Sequence, residues 1–166
     1  MNSVNSNHTH PVREVDTNAF LDAMRELVEE GRLVSVTVAG NSMSPFLADK
    51  RDRVFFQKPA RPLKKGDIVF YQRTDSRYIM HRIYKIKQDK YYMTGDAQTE
   101  IEGPLKKEQI FALVTQCERK GKQIKPGDFW WDFFEKVWIR VVPLRPVIRR
   151  IYSKINHLWH SFSFFI

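Results

Sequence analysis

Between residues 33 and 117 the chain offers short runs rich in Val, Ile, Tyr and Phe, and no helix of crossover length is read between them. That pattern constrains the fold more than any other feature. Parallel strands are usually joined by a crossover helix, so a parallel βαβ sheet is not expected. The runs are 33–39, 53–57, 67–73, 77–87, 90–94 and 110–117. Gly, Pro, Asp and Lys separate them, as turn chemistry requires, and "ERKGKQI" at 118–124 reads as a hairpin turn. The expected fold is mainly β, a coiled and mostly antiparallel sheet or open barrel.

The flanks read differently. Residues 1–16 form a polar arm in which His8 and His10 are incidental. Residues 17–30 place Phe20, Leu21, Met24, Leu27 and Val28 at helical spacing, with Thr17 or Asn18 as cap and Gly31 as stop. This amphipathic helix is expected to pack on the sheet, making 17–127 one β domain with a leading helix. From 128 to 166 the text becomes aromatic and basic. "DFWWDFFEKVWIRVV" is read as a helix capped by Asp128, with Asp132, Lys136 and Arg140 as a charged stripe. "PLRP" at 143–146 breaks it. "VIRRIYSKINHLWH" then sets Val147, Ile148, Ile151, Ile155, Leu158 and Trp159 against Arg149, Arg150, Lys154, His157 and His160.

Formal charge is +9, and residues 129–166 carry six Lys/Arg against two acids. Such an excess favours anionic partners. All four tryptophans fall within 130–159. The expectation is that residues 129–160 lie in the interface of an anionic membrane, the competing arrangement being that they fold back over the sheet or make a dimer. Charge alone speaks for nucleic acid, and none is expected as partner. A single cysteine, Cys117, excludes an internal disulfide framework and a thiolate metal cage. No cofactor or metal is expected. The first 38 residues lack an apolar run of the length an export signal or spanning helix needs. The expected location is peripheral on the cytoplasmic face of a membrane, or else the cytoplasm.

Chemistry enters at "AGNSMSP", residues 39–45, where a strand gives way to a turn. Serine needs a base within hydrogen-bond reach and donors for the oxyanion it generates. Gly40 permits backbone angles that aim nearby N–H groups at one point, and Pro45 fixes the exit. Ser42 is thus a candidate nucleophile, with the backbone of Asn41 and Ser42 as candidate oxyanion donors. A plain Gly-Asn-Ser turn would look the same. His81 lies 39 residues on, sharing a strand face with Ile79 and Ile83. An imidazole there is either a core residue or the base that accepts the Ser42 proton.

The boxes "GNSMSP", "KKGDIVFY", "YIMHRI" and "YYMTGD", in that order and spacing, resemble the signal peptidase I family. More widely they resemble the clan that also holds self-cleaving SOS repressors. The pair His81-Arg82 is similar to the Ser–His, archaeal and endoplasmic-reticulum-type branch; most bacterial members have lysine as base. The resemblance covers roughly residues 33–117. It implies coiled β-sheets, Ser42 as nucleophile, His81 as base and a peptide or precursor protein as substrate. Where the family reads Lys-Gly-Asp this chain has Thr94-Gly95-Asp96. Asp96 either orients His81 or ties down the loop, and Glu100 and Glu102 are further candidates for the third member. Gly40 stands where many relatives place a second serine, so backbone donors alone are expected to serve the oxyanion. The function so implied is a serine endopeptidase acting through an acyl-enzyme. The alternatives are a catalytically silent membrane-associated module of the same fold and a self-cleaving regulator.

Overall fold

A computed structural model of the chain describes residues 17–148 and 150. The polar arm with His8 and His10, and the amphipathic stretch beyond residue 150, lie outside the described residues, as do the side chains of the candidate caps Thr17 and Asn18.

Eight strands form one antiparallel sheet: β1 (Val34–Thr37), β2 (Arg53–Gln57), β3 (Ile68–Gln72), β4 (Tyr78–Lys87), β5 (Lys90–Thr94), β6 (Glu102–Leu105), β7 (Ile110–Arg119) and β8 (Lys122–Ile124). Their order is β1-β2-β7-β3-β4-β5-β6, with β8 paired to β7 and the sheet left open. Six of these strands are the six apolar runs. β8 is the far arm of the hairpin at 118–124, which turns through Lys120 and Gly121, both at positive φ. β6 was not expected, because "EGPL" contains the two residues least suited to a strand. Register shifts interrupt the ladder between β2 and β7, β3 and β7, β4 and β5, and β5 and β6. Each such bulge adds local twist, which coils the sheet.

Side-chain alternation along β3 divides the interior in two. Ile68 and Phe70 join a large cluster with Val54, Phe56, Phe46, Phe111 and Val28 of the leading helix α1 (Thr17–Glu29). Val69 and Tyr71 join a smaller one with Ile83, Met93, Leu105 and Leu113. Both faces of β3 are therefore buried from Ile68 to Tyr71. Burying one such side chain stabilises the fold by about 1.5–3 kcal/mol. The opposite faces of β3 and β4 become the two regions that matter for function.

After β8 the chain departs from the expected single helix. A four-residue α2 (Phe129–Asp132) is followed by a π turn over Phe133–Val137 and 3-10 turns over Trp138–Arg140 and Val142–Leu144. Asp128 occupies the cap position, but its carboxylate accepts from the Lys125 amide instead. Asp132 and Lys136 do pair, 2.6 Å apart. This tail is folded over the large cluster through Trp131 and Phe134, which pack on Phe46, and Ile139 and Val142 are buried as well. Arg145, within the stretch expected to lie in a membrane interface, is fully buried and donates to the Gly95 and Gln98 carbonyls. Among the described residues no helix is long and apolar enough to cross a membrane.

Candidate active site

Ser42 sits in the turn that follows β1. Gly40 takes φ +85°, the left-handed region closed to most residues, and its amide donates to Asp49 Oδ1 at 2.7 Å. The chain then makes a helical turn in which Met43, Phe46 and Leu47 are buried in the large cluster. Their i, i+3, i+4 spacing is that of one helical face, and Leu47 N donates to Met43 O at 2.9 Å. Three apolar anchors thus hold the turn down, and Ser42 is left half-buried at its edge.

A second loop braces it. The Ser42 carbonyl accepts from the Ala97 amide at 2.8 Å. Gly95 lies so close that a Cβ there would stand 2.4 Å from the Ser42 oxygen. Glycine in "TGD" is therefore required by the approach of two backbones rather than by a turn angle. Thr94, in place of the family's lysine, donates to the Glu100 carbonyl at 2.9 Å.

His81 lies on β4 opposite Val69 of β3, with Tyr71 diagonally across the same face. It is 3 % exposed, and its Nδ1 is 3.1 Å from Tyr71 Oη. The phenol reaches Glu102 Oε2 at 2.8 Å. Arg73 grips the same carboxylate, with Nε 2.6 Å from Oε1 and a second contact from Nη2 to Oε2. Burial pushes the imidazole down to about 4; Glu102 opposes this, Arg73 adds to it and Asp96 opposes it more weakly. At neutral pH the ring is uncharged and able to accept a proton. Burial alone would raise Glu102, but hydrogen bonds from Arg73 and Tyr71 bring it below the ordinary carboxylate range. Burial, then Glu102, hold the Tyr71 phenol protonated.

Ser42 and His81 line one cavity of about 250 Å³, together with Gly40, Arg73, Ile79 and Gln98. Asn41 lines a neighbouring, more apolar hollow of about 630 Å³ with Pro45, Trp130, Phe134 and Trp138. The cavity lies where β4 loses a neighbour: residues 78–81 pair with β3 on one side, and β5 joins only from Arg82 onward.

Asp96 does not hold the His81 ring. Both its oxygens face Arg82, at 3.0 Å from Nε and 2.9 Å from Nη2, and both residues are fully buried. The reason is strand alternation: His81 and Arg82 are adjacent, so their side chains leave β4 on opposite faces. Arg82 lies over Phe46 in the large cluster and donates to the Gly66 carbonyl. Asp96 thus ties down its loop, the other role the sequence allowed. Of the remaining acids, Glu102 is linked to His81 through Tyr71. The Glu100 backbone carbonyl accepts from Thr94. Gly66-Asp67 forms the turn into β3, with Asp67 accepting from the Lys64 amide and bound by Arg61.

Cys117 offers no rival nucleophile. It is buried, and burial pushes its thiol up to about 12. Among the described residues no group of three or more His, Cys, Asp or Glu side chains is placed to hold a metal ion.

Against protein-family models, residues 5–112 match the family described as Peptidase S24-like. The chain belongs to that family. No curated protein matches it. The S24-like segment contains Ser42, His81, Asp96 and Glu102 and ends inside β7, so the aromatic tail from Phe129 onward lies outside it. Membership supports peptidase chemistry and fits the open antiparallel sheet. It reaches the clan of signal peptidases and self-cleaving repressors without singling out the signal peptidase I branch.

Proposed function

We propose that this S24-like protein is a serine endopeptidase of signal-peptidase type, with Ser42 as nucleophile and His81 as general base. The observation that carries the reading is the shared cavity: two side chains 39 residues apart line one small hollow beside an open strand edge. An extended peptide adds to residues 78–81 of β4 as a further strand, its carbonyls and amides pairing with a backbone edge that β5 leaves free. Ser42 Oγ attacks the scissile carbonyl while His81 takes its proton. The tetrahedral oxyanion is met by amides of the Asn41–Ser42 turn, and its collapse expels the amine with the proton returned by His81. Water, activated by the same ring, then hydrolyses the acyl-enzyme.

The membrane surface is the proposed place of action. Phe129, Trp130, Val137, Leu144 and Val147 remain exposed on the tail although Trp131 and Phe134 are packed inward. Lys136 and Arg140 lie exposed among them. Exposed apolar side chains interspersed with cations are the composition of an interfacial anchor.

The test is serine-directed. A phosphonylating probe should label the purified protein at Ser42 and fail on Ser42→Ala, with both proteins giving the same unfolding transition. His81→Ala should abolish labelling likewise. Absence of labelling in the unaltered protein would overturn the protease reading and leave a silent surface module of the same fold. Spontaneous shortening of the chain, seen by intact mass and lost in Ser42→Ala, would instead mark a self-cleaving regulator.

A further inference from the structure

Tyr71 stands between two groups that both want its proton. Its hydroxyl is 2.8 Å from Glu102 Oε2 and 3.1 Å from His81 Nδ1. A phenol has one hydrogen to donate and lone pairs with which to accept. Glu102, ionised and gripped by Arg73, is an acceptor only. The Tyr71 proton therefore goes to Glu102. What the phenol then presents to the imidazole is a lone pair, and a hydrogen bond at that point needs a proton on Nδ1.

We propose that Tyr71, anchored by Glu102 and Arg73, is a positioning residue that fixes His81 as the Nδ1–H tautomer and leaves Nε2 as the nitrogen that receives the Ser42 proton. Its consequence for catalysis rests on the Ser42–His81 reading; the tautomer itself does not. The proton balance is closed. On attack, the Ser42 proton moves to Nε2 and the imidazole becomes a cation with both nitrogens protonated. Nδ1–H stays bonded to the Tyr71 oxygen, and the phenol proton stays directed at Glu102. No proton crosses the relay. The carboxylate stabilises the cation from one hydrogen bond away, as a directly bonded acid would do at closer range. The charged and titratable groups around the ring are Tyr71, Glu102, Arg73 and, more distantly, Asp96.

The decisive measurement is the tautomer, read by long-range proton–nitrogen correlation on the ring of His81 in the full-length, nitrogen-15-labelled chain. The His81 signals are assigned by their loss in His81→Gln. In the unaltered protein at neutral pH, Nδ1 should show the protonated nitrogen's shift and Nε2 the unprotonated one. In Tyr71→Phe, which keeps the buried ring and removes only the hydroxyl, the Nδ1–H form should lose its dominance. Labelling by the phosphonylating probe should then slow roughly tenfold to a hundredfold, below the full loss expected on removing the base. Glu102→Gln supplies a second variant at a partly exposed position. Its amide donates to the phenol oxygen, freeing the phenol proton for Nδ1, so the tautomer should reverse to Nε2–H.

An Nε2–H ring in the unaltered protein overturns the proposal, as does an unchanged tautomer in Tyr71→Phe or in Glu102→Gln with native amide spectra. The expected tautomers combined with no labelling of Ser42 in any variant would uphold the positioning role of Tyr71 and defeat the protease reading.

Discussion

His81 and Arg82 are neighbours on one strand, each aligned with a carboxylate, yet their surroundings differ in kind. Arg82 and Asp96 make a two-pronged ion pair that is sealed from solvent on all sides. His81 reaches Glu102 only through Tyr71, and the chain of groups ends in an Arg73–Glu102 pair that is about a quarter exposed, beside a cavity. The first arrangement has no access and no proton to exchange, so it can only hold structure. The second keeps an uncharged base at a wall of the cavity that Ser42 shares. Position on the strand decides which of two adjacent polar residues can work, because alternation sends one into the core and the other toward the opening.

Removing one partner of the sealed pair gives the largest effect. Asp96→Ala leaves Arg82 buried without its counter-charge and Arg145, 4.0 Å from the same carboxylate, with less compensation. Breaking a buried pair in this way costs about 3–5 kcal/mol. Chemical denaturation should show that loss, and the turn bearing Ser42, tied to the Asp96 loop through Ala97, should lose probe labelling with it. A change below 1 kcal/mol would mean that the two faces of β4 are not as different as their burial makes them.

The same contrast marks how far the sequence could be read. Alternation and turn residues made six strands legible, because apolar periodicity is local. β6 escaped since Gly103 and Pro104 sit in it, and the strand exists only because β5 offers a partner edge. Ser42 and His81 were singled out by the order of their boxes, and the structure sets both on the lining of one cavity. The pairing of Asp96 with Arg82 was within reach too, since adjacent strand residues cannot face the same carboxylate. The Tyr71–Glu102 connection was not, for it depends on the register of β3 on β4 and on where a strand 31 residues away begins. The tail was legible only in part for a related reason. Its apolar and basic pattern suits a membrane interface or a fold-back equally, and in the described part Trp131, Phe134 and Arg145 pack inward while Phe129, Trp130 and Val137 stay exposed.

An intermediate effect is expected from pH. His81 has a folded-state value of about 4 against an ordinary 6.5. Between those values the unfolded chain binds the proton and the folded one does not. The contribution is therefore complete above 6.5, declines as pH falls, and is gone below about 4. Its full size is roughly 3 kcal/mol, at 1.36 kcal/mol for each pKa unit. Urea titrations from pH 7 to pH 4 should show stability falling through this window. Activity should behave differently, since the ring stays neutral in the folded protein until about pH 4. Probe labelling of the folded protein should persist to pH 5 and fall only as pH passes 4. An acid limb centred at 6.5 would place His81 in water, not in the pocket described.

The smallest stability change should come from His81 itself. His81→Gln removes one hydrogen bond to Tyr71 from a site that adjoins a cavity, and a single such bond contributes about 1 kcal/mol. The loss at pH 7 should therefore be several-fold smaller than for Asp96→Ala, although the residues replaced are both buried. Labelling of Ser42 should nonetheless vanish, because glutamine has no proton-accepting nitrogen near neutral pH. The variant also isolates the titration: the part of the stability slope between pH 6.5 and 4 that belongs to His81 should disappear, while the contribution of carboxylates held low, such as Asp52 and Glu102, remains. A His81→Gln protein as unstable as Asp96→Ala, or one with an unchanged slope, would show the imidazole to be a structural residue like its neighbour on the strand.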